Sequence, residues 1–191
     1  CNPSVGGTGK GHLVFEIDAL GGEMGYAADA ATIQSRMLNT GKGAAVQSKR
    51  VQADRSLYKN MMKKTLEETE NLYLVQAEVT SLITEGEGDE RRVVGVTAEP
   101  GGEFAARAVI IASGTYLDST TFTGDVARSS GPDGLLPASA GLSGSLSSLD
   151  LKLMRFKTGT PQRIHRRSID LARLEVQEGE EEIVPYSADT D

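Results

Sequence analysis

Apolar residues recur at helical spacing in two segments of the chain. The first segment begins just after a glycine-rich loop and ends at a glycine pair: Leu13, Val14, Ile17 and Leu20, then Gly21 and Gly22. This spacing and the glycine stop predict a helix. A second apolar stripe, with lysines on its outer side, predicts another helix over residues 52–70.

Shorter apolar runs predict strands in the middle of the chain: 72–75, 79–84, 92–99 and 104–107. The GEGD turn at residues 86–89 joins two of them as a hairpin. The continuous run AVIIA at 108–112 is typical of a strand buried on both faces of a parallel sheet. Together, the predicted helices and strands indicate an α/β fold with an antiparallel β insertion.

Two polar stretches carry weaker signals. Residues 23–50 are punctuated by glycines and predict a long irregular segment with one possible short strand at 32–38. Residues 129–148 are dense in serine, glycine and proline, which by composition indicates a linker. We therefore expect a soft domain boundary near residue 155.

The composition is that of a soluble globular protein, with 38% hydrophobic and 25% charged residues among 191. No apolar run is long enough to span a bilayer, and a single cysteine, Cys1, excludes an intrachain disulfide and fits a reducing compartment. The net charge of −7 hides an uneven distribution. Bases dominate residues 36–64 and 152–173, whereas residues 175–191 hold acids and no base. The basic clusters suit a polyanion such as RNA, although a solvated helix face and a basic loop are the simpler interpretation of the clusters by themselves.

The opening loop, GGTGKG at residues 6–11, has the composition of an anion cradle ahead of a helix. It does not match a P-loop, because Ser4 stands where glycine is required and Gly11 where a hydroxyl should bind magnesium. The spacing of a GxGxxG dinucleotide fingerprint is absent as well. A glycine-rich turn before an ordinary helix is the simpler interpretation. Phosphate contact is a candidate role for Lys10 and His12.

Longer motifs favour a ligand-binding role for this loop over a simple glycine-rich turn. CNPSVGGTGKGHLVFEIDALGGEMG, AADAATIQSRMLNTGKGAAVQSKRVQADR, ARAVIIASGTYLD and LMRFKTGTPQRI occur in this order. Together they resemble the MnmG (GidA) family of tRNA-modifying flavoproteins over about residues 1–170. The chain also begins without methionine, on a motif typical of a domain interior. We therefore expect an internal fragment of such a protein.

The resemblance implies part of an FAD-binding, Rossmann-like domain of the two-dinucleotide-binding type over residues 1–155. The family's first strand and GGGHAG loop are missing, so the isolated fragment is expected to bind FAD weakly or not at all. Residues 156–191 would lead into an inserted NADH-binding domain. The implied cofactor-binding residues are Gly6, Gly7, Gly9, Val79, Ser113, Gly114, Thr115 and Ser139.

The family's activity implies an enzyme that, with an MnmE-type GTPase, adds a carboxymethylaminomethyl group to carbon 5 of the wobble uridine of tRNA. NADH and methylene-tetrahydrofolate would be co-substrates, and the full-length protein a cytoplasmic homodimer without a membrane anchor. The fragment by itself is expected to be inactive. Two alternatives remain open: a TrmFO-like, folate- and FAD-dependent tRNA uracil methyltransferase, and a non-enzymatic nucleic-acid-binding module.

Other candidate chemistry is sparse. Cys1 is the only thiol and therefore the only candidate cysteine nucleophile, with a small packed residue as the alternative. No cysteine–histidine cluster predicts a metal site. The candidate RNA or phosphate contacts are Lys10, His12, Arg36, Lys42, Lys49 and Arg50.

Overall fold

The computed structural model of the chain describes residues 3–132, 140–159 and 164–190. They form two compact units, one of residues 3–74 with 164–190, the other of residues 75–132 with 140–159. The predicted span 1–155 is therefore divided between both units. Its assignment to an FAD-binding domain, and that of residues 156–191 to a transition into an NADH-binding domain, stay predictions.

The first unit is built on a three-stranded antiparallel sheet. Its elements are β1 (Ser4–Gly6), α1 (Gly11–Ala19), α2 (Met24–Ala30), β2 (Thr32–Leu38), β3 (Ser48–Ala53) and α3 (Arg55–Glu68), with short 3-10 helices at Ala44–Val46, Arg166–Ser168 and Leu171–Arg173. The strand order is β1-β3-β2. The buried core includes Val14 of α1, Ala28 of α2, Val51 of β3 and the distant Tyr186.

The first predicted helix is confirmed as α1. It ends at Ala19, and Gly21, two residues further on, has a φ of +82°, the left-handed conformation that glycine adopts at low cost. The amide of Gly22 closes the helix end by donating to the Ile17 carbonyl at 2.9 Å. The predicted strand at 32–38 is confirmed as β2. The rest of residues 23–50 is more regular than expected, because it also contains α2 and the start of β3.

The predicted helix over 52–70 is confirmed as α3, and Asp54 sets its start. The Asp54 carboxylate accepts hydrogen bonds from the amides of Ser56 at 2.8 Å and Leu57 at 3.0 Å. These amides have no carbonyl partner in the first turn, so the side chain caps the helix.

Asp54→Ala is expected to lower the free energy of unfolding by about 1 kcal/mol, because two helix amides lose their acceptor. Asp54→Asn keeps an acceptor at the same place and should cost a few tenths of that amount. Urea denaturation followed by circular dichroism measures both. Equal losses in the two variants would rule out capping as the cause.

The second unit contains two antiparallel sheets. Its elements are β4 (Glu78–Glu85), β5 (Arg92–Glu99), β6 (Gly102–Ala105), β7 (Thr120–Thr123), β8 (Val126–Ser129) and α4 (Ala140–Ser148), with a 3-10 helix at Gly88–Glu90. The strand order β4-β5-β6 confirms the predicted hairpin and its short third strand, and β7 pairs with β8. An ion pair joins Arg155 to Asp118 at 2.6 Å, and the same guanidinium donates to the Asp118 carbonyl at 2.9 Å.

The predicted strand at 108–112 is wrong for this structure. These residues form no strand, and the Ile110 side chain is 92% exposed. A buried parallel strand needs a parallel neighbour and cover on both faces. Every strand pair that the described residues form is antiparallel, and none includes this segment. The expected strand at 72–75 is also absent, and Tyr73 there is exposed.

The predicted linker is corrected in part, because its second half forms α4. Leu142 and Leu146 lie one helical turn apart and are both buried. Ser145 Oγ accepts a hydrogen bond from the Leu82 amide of β4 at 2.9 Å. Gly141 permits close approach, since a Cβ there would lie 2.9 Å from the Thr80 carbonyl oxygen. Packing on β4 therefore outweighs the low helix propensity of serine and glycine.

None of the helices in the described ranges has the length and apolar character needed to cross a membrane.

Candidate functional site

The opening glycine loop is tied to β3 by its own backbone. The Gly7 amide donates to the Lys49 carbonyl at 2.8 Å, and the Gly11 amide to the Gly7 carbonyl at 2.9 Å. The Ser48 hydroxyl donates to the same Gly7 carbonyl at 2.7 Å. The Lys10 amide also donates to Gly7. Three loop amides are thus engaged inside the protein. Thr8 and Gly9 at the tip are exposed, and Thr8 Oγ1 accepts a hydrogen bond from Asn39 Nδ2 at 3.2 Å.

Two of the loop glycines are required by close packing. A Cβ at Gly6, where φ is +77°, would lie 2.5 Å from the Lys49 carbonyl and against the Tyr186 hydroxyl. A Cβ at Gly11 would lie 2.5 Å from Ser48 Oγ. By contrast, Gly9 has a φ of +70° and open space around it. Gly9 therefore keeps the freedom to approach a ligand, whereas Gly6 and Gly11 are occupied with packing.

Lys49, Asp29 and Tyr186 form a buried polar cluster beneath this loop. The side chains of Lys49 and Asp29 are only 2% and 4% exposed, and their charged atoms lie 3.6 Å apart. The ammonium also donates to the Val184 carbonyl and lies 4.2 Å from the centre of the Tyr186 ring. Burial lowers the pKa of Lys49, and the Asp29 carboxylate opposes that shift. Lys49 therefore has no surface to offer RNA, in contrast to the sequence-based expectation.

Asp29 organises the segment at residues 183–190. Its carboxylate accepts from the amides of Tyr186 at 2.7 Å and Ser187 at 2.8 Å, and from Thr190 Oγ1 at 3.0 Å. Tyr186 in turn donates its hydroxyl to the Lys49 carbonyl at 2.7 Å. The acidic segment, residues 175–190, packs within the first unit.

An earlier part of the acidic segment, residues 177–180, follows the free edge of β2. The Glu180 amide donates to the Ser35 carbonyl at 3.0 Å, and the Glu180 carboxylate accepts from the Met37 amide at 2.8 Å. The Gln177 carbonyl accepts from the Gln34 side chain at 2.8 Å. An edge strand is thereby covered, which is how proteins limit unwanted strand pairing.

Stability above pH 10 is expected to depend on Tyr186. Burial, with a smaller contribution from the Asp29 charge, raises the pKa of Tyr186 from 10.0 to about 12. Between these two pH values the unfolded chain has lost this proton and the folded chain still holds it, so stability falls as the pH rises. The loss approaches about 3 kcal/mol for this one group.

Urea denaturation of wild type and Tyr186→Phe between pH 9 and pH 12 measures this dependence (roughly the titration range of tyrosine). The variant should show a flatter decline, since among the described residues only Tyr58, whose pKa is also raised by burial, still contributes in that direction. Identical slopes in the two proteins would contradict the assignment.

Arg36 and Arg50 lie opposite each other on the face of the sheet turned away from the core. Arg50 of β3 is in register with Arg36 of β2 on one side and with Gly6 of β1 on the other. The neighbouring row consists of Ser4, Gln52 and Gln34. The core residue Val51 alternates with these positions and is fully buried on the other face. This polar face, defined by the two rows, is the main cationic feature of the sheet.

The other expected phosphate contacts lie on the surface. Lys10 and His12 are exposed at the start of α1, and Lys42 is exposed in the turn between β2 and β3. Of the six residues predicted to contact RNA or phosphate, five thus have side chains that are exposed or half-buried, and Lys49 does not.

In the second unit, Ser113, Gly114 and Thr115 form a turn. The Tyr116 amide donates to the Ser113 carbonyl at 3.0 Å, and Gly114 has a φ of +56° with open space where a Cβ would lie. Val79 is half-buried in β4, in register with Ala98 of β5. Cys1 and Ser139 lie outside the described residues.

Within the described ranges, no group of three or more histidine, cysteine, aspartate or glutamate side chains is arranged to hold a metal ion. Asp29 and Tyr186 are the central residues that sequence reasoning missed. The available signal was a lone aspartate in the small-residue run AADAA, which predicts a buried carboxylate but not its partners.

Comparison with known proteins identifies the family. The sequence profile described as "Glucose inhibited division protein A" (GIDA) matches residues 1–191. The chain therefore belongs to the GIDA family. Its fold is similar to that of Aquifex aeolicus GidA in the form I crystal, with a TM-score of 0.89 and 46% identity, over 100% of this chain and 31% of that one.

Curated relatives carry a more specific name. The proteins of Alkaliphilus metalliredigens and Caldicellulosiruptor saccharolyticus are 54% and 51% identical to this chain over 187 residues, which is 98% of its length. Both are named tRNA uridine 5-carboxymethylaminomethyl modification enzyme MnmG. This chain spans 29% of the length of each.

Proposed function

We propose that the chain is part of an FAD-dependent enzyme that adds a carboxymethylaminomethyl group to carbon 5 of the wobble uridine of tRNA. The main support is the 54% identity to a protein named for this modification, over nearly the whole chain. The names of these relatives favour the modification enzyme over a tRNA methyltransferase or a non-enzymatic binding module. The chain's own contribution is then to position the cofactor and the RNA.

The described residues fit an FAD-binding role in part. Gly9 and Gly114 combine a positive φ with open space, which lets a planar ring or a phosphate approach the backbone closely. The space next to the Cα of Gly6 is occupied by the Tyr186 hydroxyl, and the Gly7 amide already donates to the Lys49 carbonyl. We therefore keep Gly9, Val79, Ser113, Gly114 and Thr115 as the stronger candidates to hold FAD.

Bound FAD would supply the redox chemistry, with NADH and methylene-tetrahydrofolate as co-substrates of the whole enzyme. The residues of this chain would orient it and exclude water around it. A Rossmann-like arrangement, a cytoplasmic homodimer and an MnmE-type GTPase partner belong to the same proposal. Each rests on the resemblance of the motifs to the MnmG family.

tRNA would meet the cationic side chains of the first unit. Lys10, His12, Arg36, Lys42 and Arg50 are exposed or half-buried and carry no salt bridge in the described part of the chain. Such groups neutralise backbone phosphates, and their contribution to binding weakens with rising salt concentration.

The test uses the full-length protein that contains this chain. Purified protein should show flavin absorbance, bind tRNA, and form the modified wobble nucleoside when the GTPase with GTP, NADH, methylene-tetrahydrofolate and glycine as the source of the carboxymethylamino group are present, as measured by nucleoside mass spectrometry. The same reaction without the GTPase is the control. Colourless protein that cannot be loaded with FAD, or a methylated uridine as the product, would refute the proposal.

A further inference from the structure

We propose that Arg36 and Arg50, on the polar face of the first sheet, together bind one phosphate group. The proposal rests on the proposed function for the source of that phosphate, which is either the tRNA backbone or the FAD cofactor. It selects two of the five accessible candidate contacts and gives them a joint role. The reasons are the electrostatics of the pair, an unsatisfied donor on Arg50 and a cavity that Arg50 helps to line.

The pairing of the two arginines is unfavourable without a ligand. They are direct cross-strand neighbours, and like charges in this position repel each other. Among the described residues neither guanidinium takes part in a salt bridge. Gly6, the third member of the row, has no side chain to separate or cover them. An oxyanion between the two guanidinium groups would turn this repulsion into attraction.

Arg50 also has a polar atom that needs a partner. Its Nε is buried, and no residue of the described chain accepts its proton. Buried polar groups are almost always hydrogen-bonded, and an unpaired donor costs stability. Nε together with one terminal nitrogen forms the fork that binds two oxygens of a phosphate or carboxylate.

A cavity of about 180 Å³ is lined by Pro3, Ser4, Arg50 and Gln52. Its size admits a small polyatomic ion. The serine hydroxyl and the glutamine amide add donors suited to oxyanion oxygens. Within these four lining residues there is no carboxylate, so the chemistry of the wall favours an anion.

Three properties separate phosphate from the other occupants. The wall offers hydroxyl, amide and guanidinium donors, the two arginines are cross-strand neighbours, and both are cationic in a chain whose overall net charge is −7. A phosphate can bridge both arginines, because it presents several oxygens around one centre. A carboxylate from another part of the full-length protein is the competing occupant, and the experiment distinguishes it.

The variants are Arg36→Gln and Arg50→Gln in the full-length protein. Arg55→Gln is the matched control, since Arg55 is exposed on α3 and makes no salt bridge in the described structure. The first probe is inorganic phosphate at constant ionic strength. It should raise the melting temperature of wild type and of Arg55→Gln, and leave both sheet variants unchanged.

Two further measurements identify the source of the phosphate. The affinity for a fluorescent anticodon stem-loop is measured by anisotropy over a salt series, and the flavin content by absorbance. If the phosphate belongs to RNA, each sheet variant should bind the stem-loop about tenfold more weakly, with unchanged flavin content. For the double variant Arg36→Gln, Arg50→Gln, the fold-loss in affinity for the stem-loop should be smaller than the product of the two single fold-losses. If the phosphate belongs to FAD, the flavin content falls and RNA affinity stays.

Unchanged phosphate stabilisation, RNA affinity and flavin content in both sheet variants would overturn the proposal and point to a carboxylate of the same protein. Equal losses in Arg55→Gln would overturn it as well, because only general charge would then matter. If Arg50→Gln does not fold, the comparison of Arg36→Gln with Arg55→Gln still tests the proposal. Wild-type protein that binds neither tRNA nor flavin would refute the proposed function instead.

Discussion

Asp29→Asn is expected to lower the free energy of unfolding by about 3–5 kcal/mol, the largest loss that we predict for a single side chain. The substitution keeps the shape and removes the charge. The buried Lys49 ammonium, 2% exposed, then loses its carboxylate partner. In the wild type, the backbone amides of Tyr186 and Ser187 donate to the Asp29 carboxylate. The side-chain NH2 of asparagine is itself a donor and cannot accept these hydrogen bonds.

Urea denaturation monitored by tyrosine fluorescence suits this measurement, since the chain has no tryptophan. Asp89→Asn is the matched control, because Asp89 is exposed and its loss should change stability by less than about 0.5 kcal/mol. The double variant Asp29→Asn, Lys49→Met removes both charges and should recover part of the loss. A loss below about 1 kcal/mol in Asp29→Asn would show that the cluster is not a stabilising unit.

Gly6→Ala should be the second most damaging change, at about 3 kcal/mol. Two costs add up at this position. A side chain at a φ of +77° is disfavoured by about 1 kcal/mol. The new methyl group would also collide with the Tyr186 hydroxyl and the Lys49 carbonyl, and such overpacking costs about 1–3 kcal/mol.

Gly9→Ala separates these two costs. Gly9 has a similar φ of +70°, and nothing lies within 4 Å of the position of its Cβ. It should therefore lose only the conformational part, about 1 kcal/mol. Measured by the same urea denaturation, equal losses at the two glycines would refute the close packing of Gly6 against Tyr186. If Gly9 contacts the cofactor, the full-length Gly9→Ala variant should lose more flavin than Gly6→Ala does, relative to the stability that each variant loses.

Local sequence patterns predicted the elements whose stability is mainly local. The apolar stripe and glycine stop of α1, the stripe of α3 and the hairpin of β4 and β5 all occur where expected. The cap by Asp54 was not predicted, although it is equally local, since the amides that donate to its carboxylate lie two and three residues away. The glycine loop was also identified correctly as a turn into a helix, but the packing role of Gly6 was not visible from its composition.

Composition misled at α4 and at residues 108–112 for a common reason. The run AVIIA has the apolar character of a buried strand, yet strand formation requires a neighbour, and none of the described strands pairs with it. The serine- and glycine-rich segment lacks helix propensity, yet Leu142 and Leu146 find a surface on β4. In both cases the deciding partner lies elsewhere in the chain.

The amino-acid sequence alone determined the family, helices α1 and α3 and the hairpin, since each depends on motifs or on contacts between near neighbours. Only the tertiary structure decided which charged residues are surface groups and which are internal. Tyr186 meets Lys49 across 137 residues and Asp29 across 157. The pairing of Arg36 with Arg50 likewise follows from strand register. Periodicity encodes a residue's need for burial or for water, whereas its partner is set by how distant segments pack.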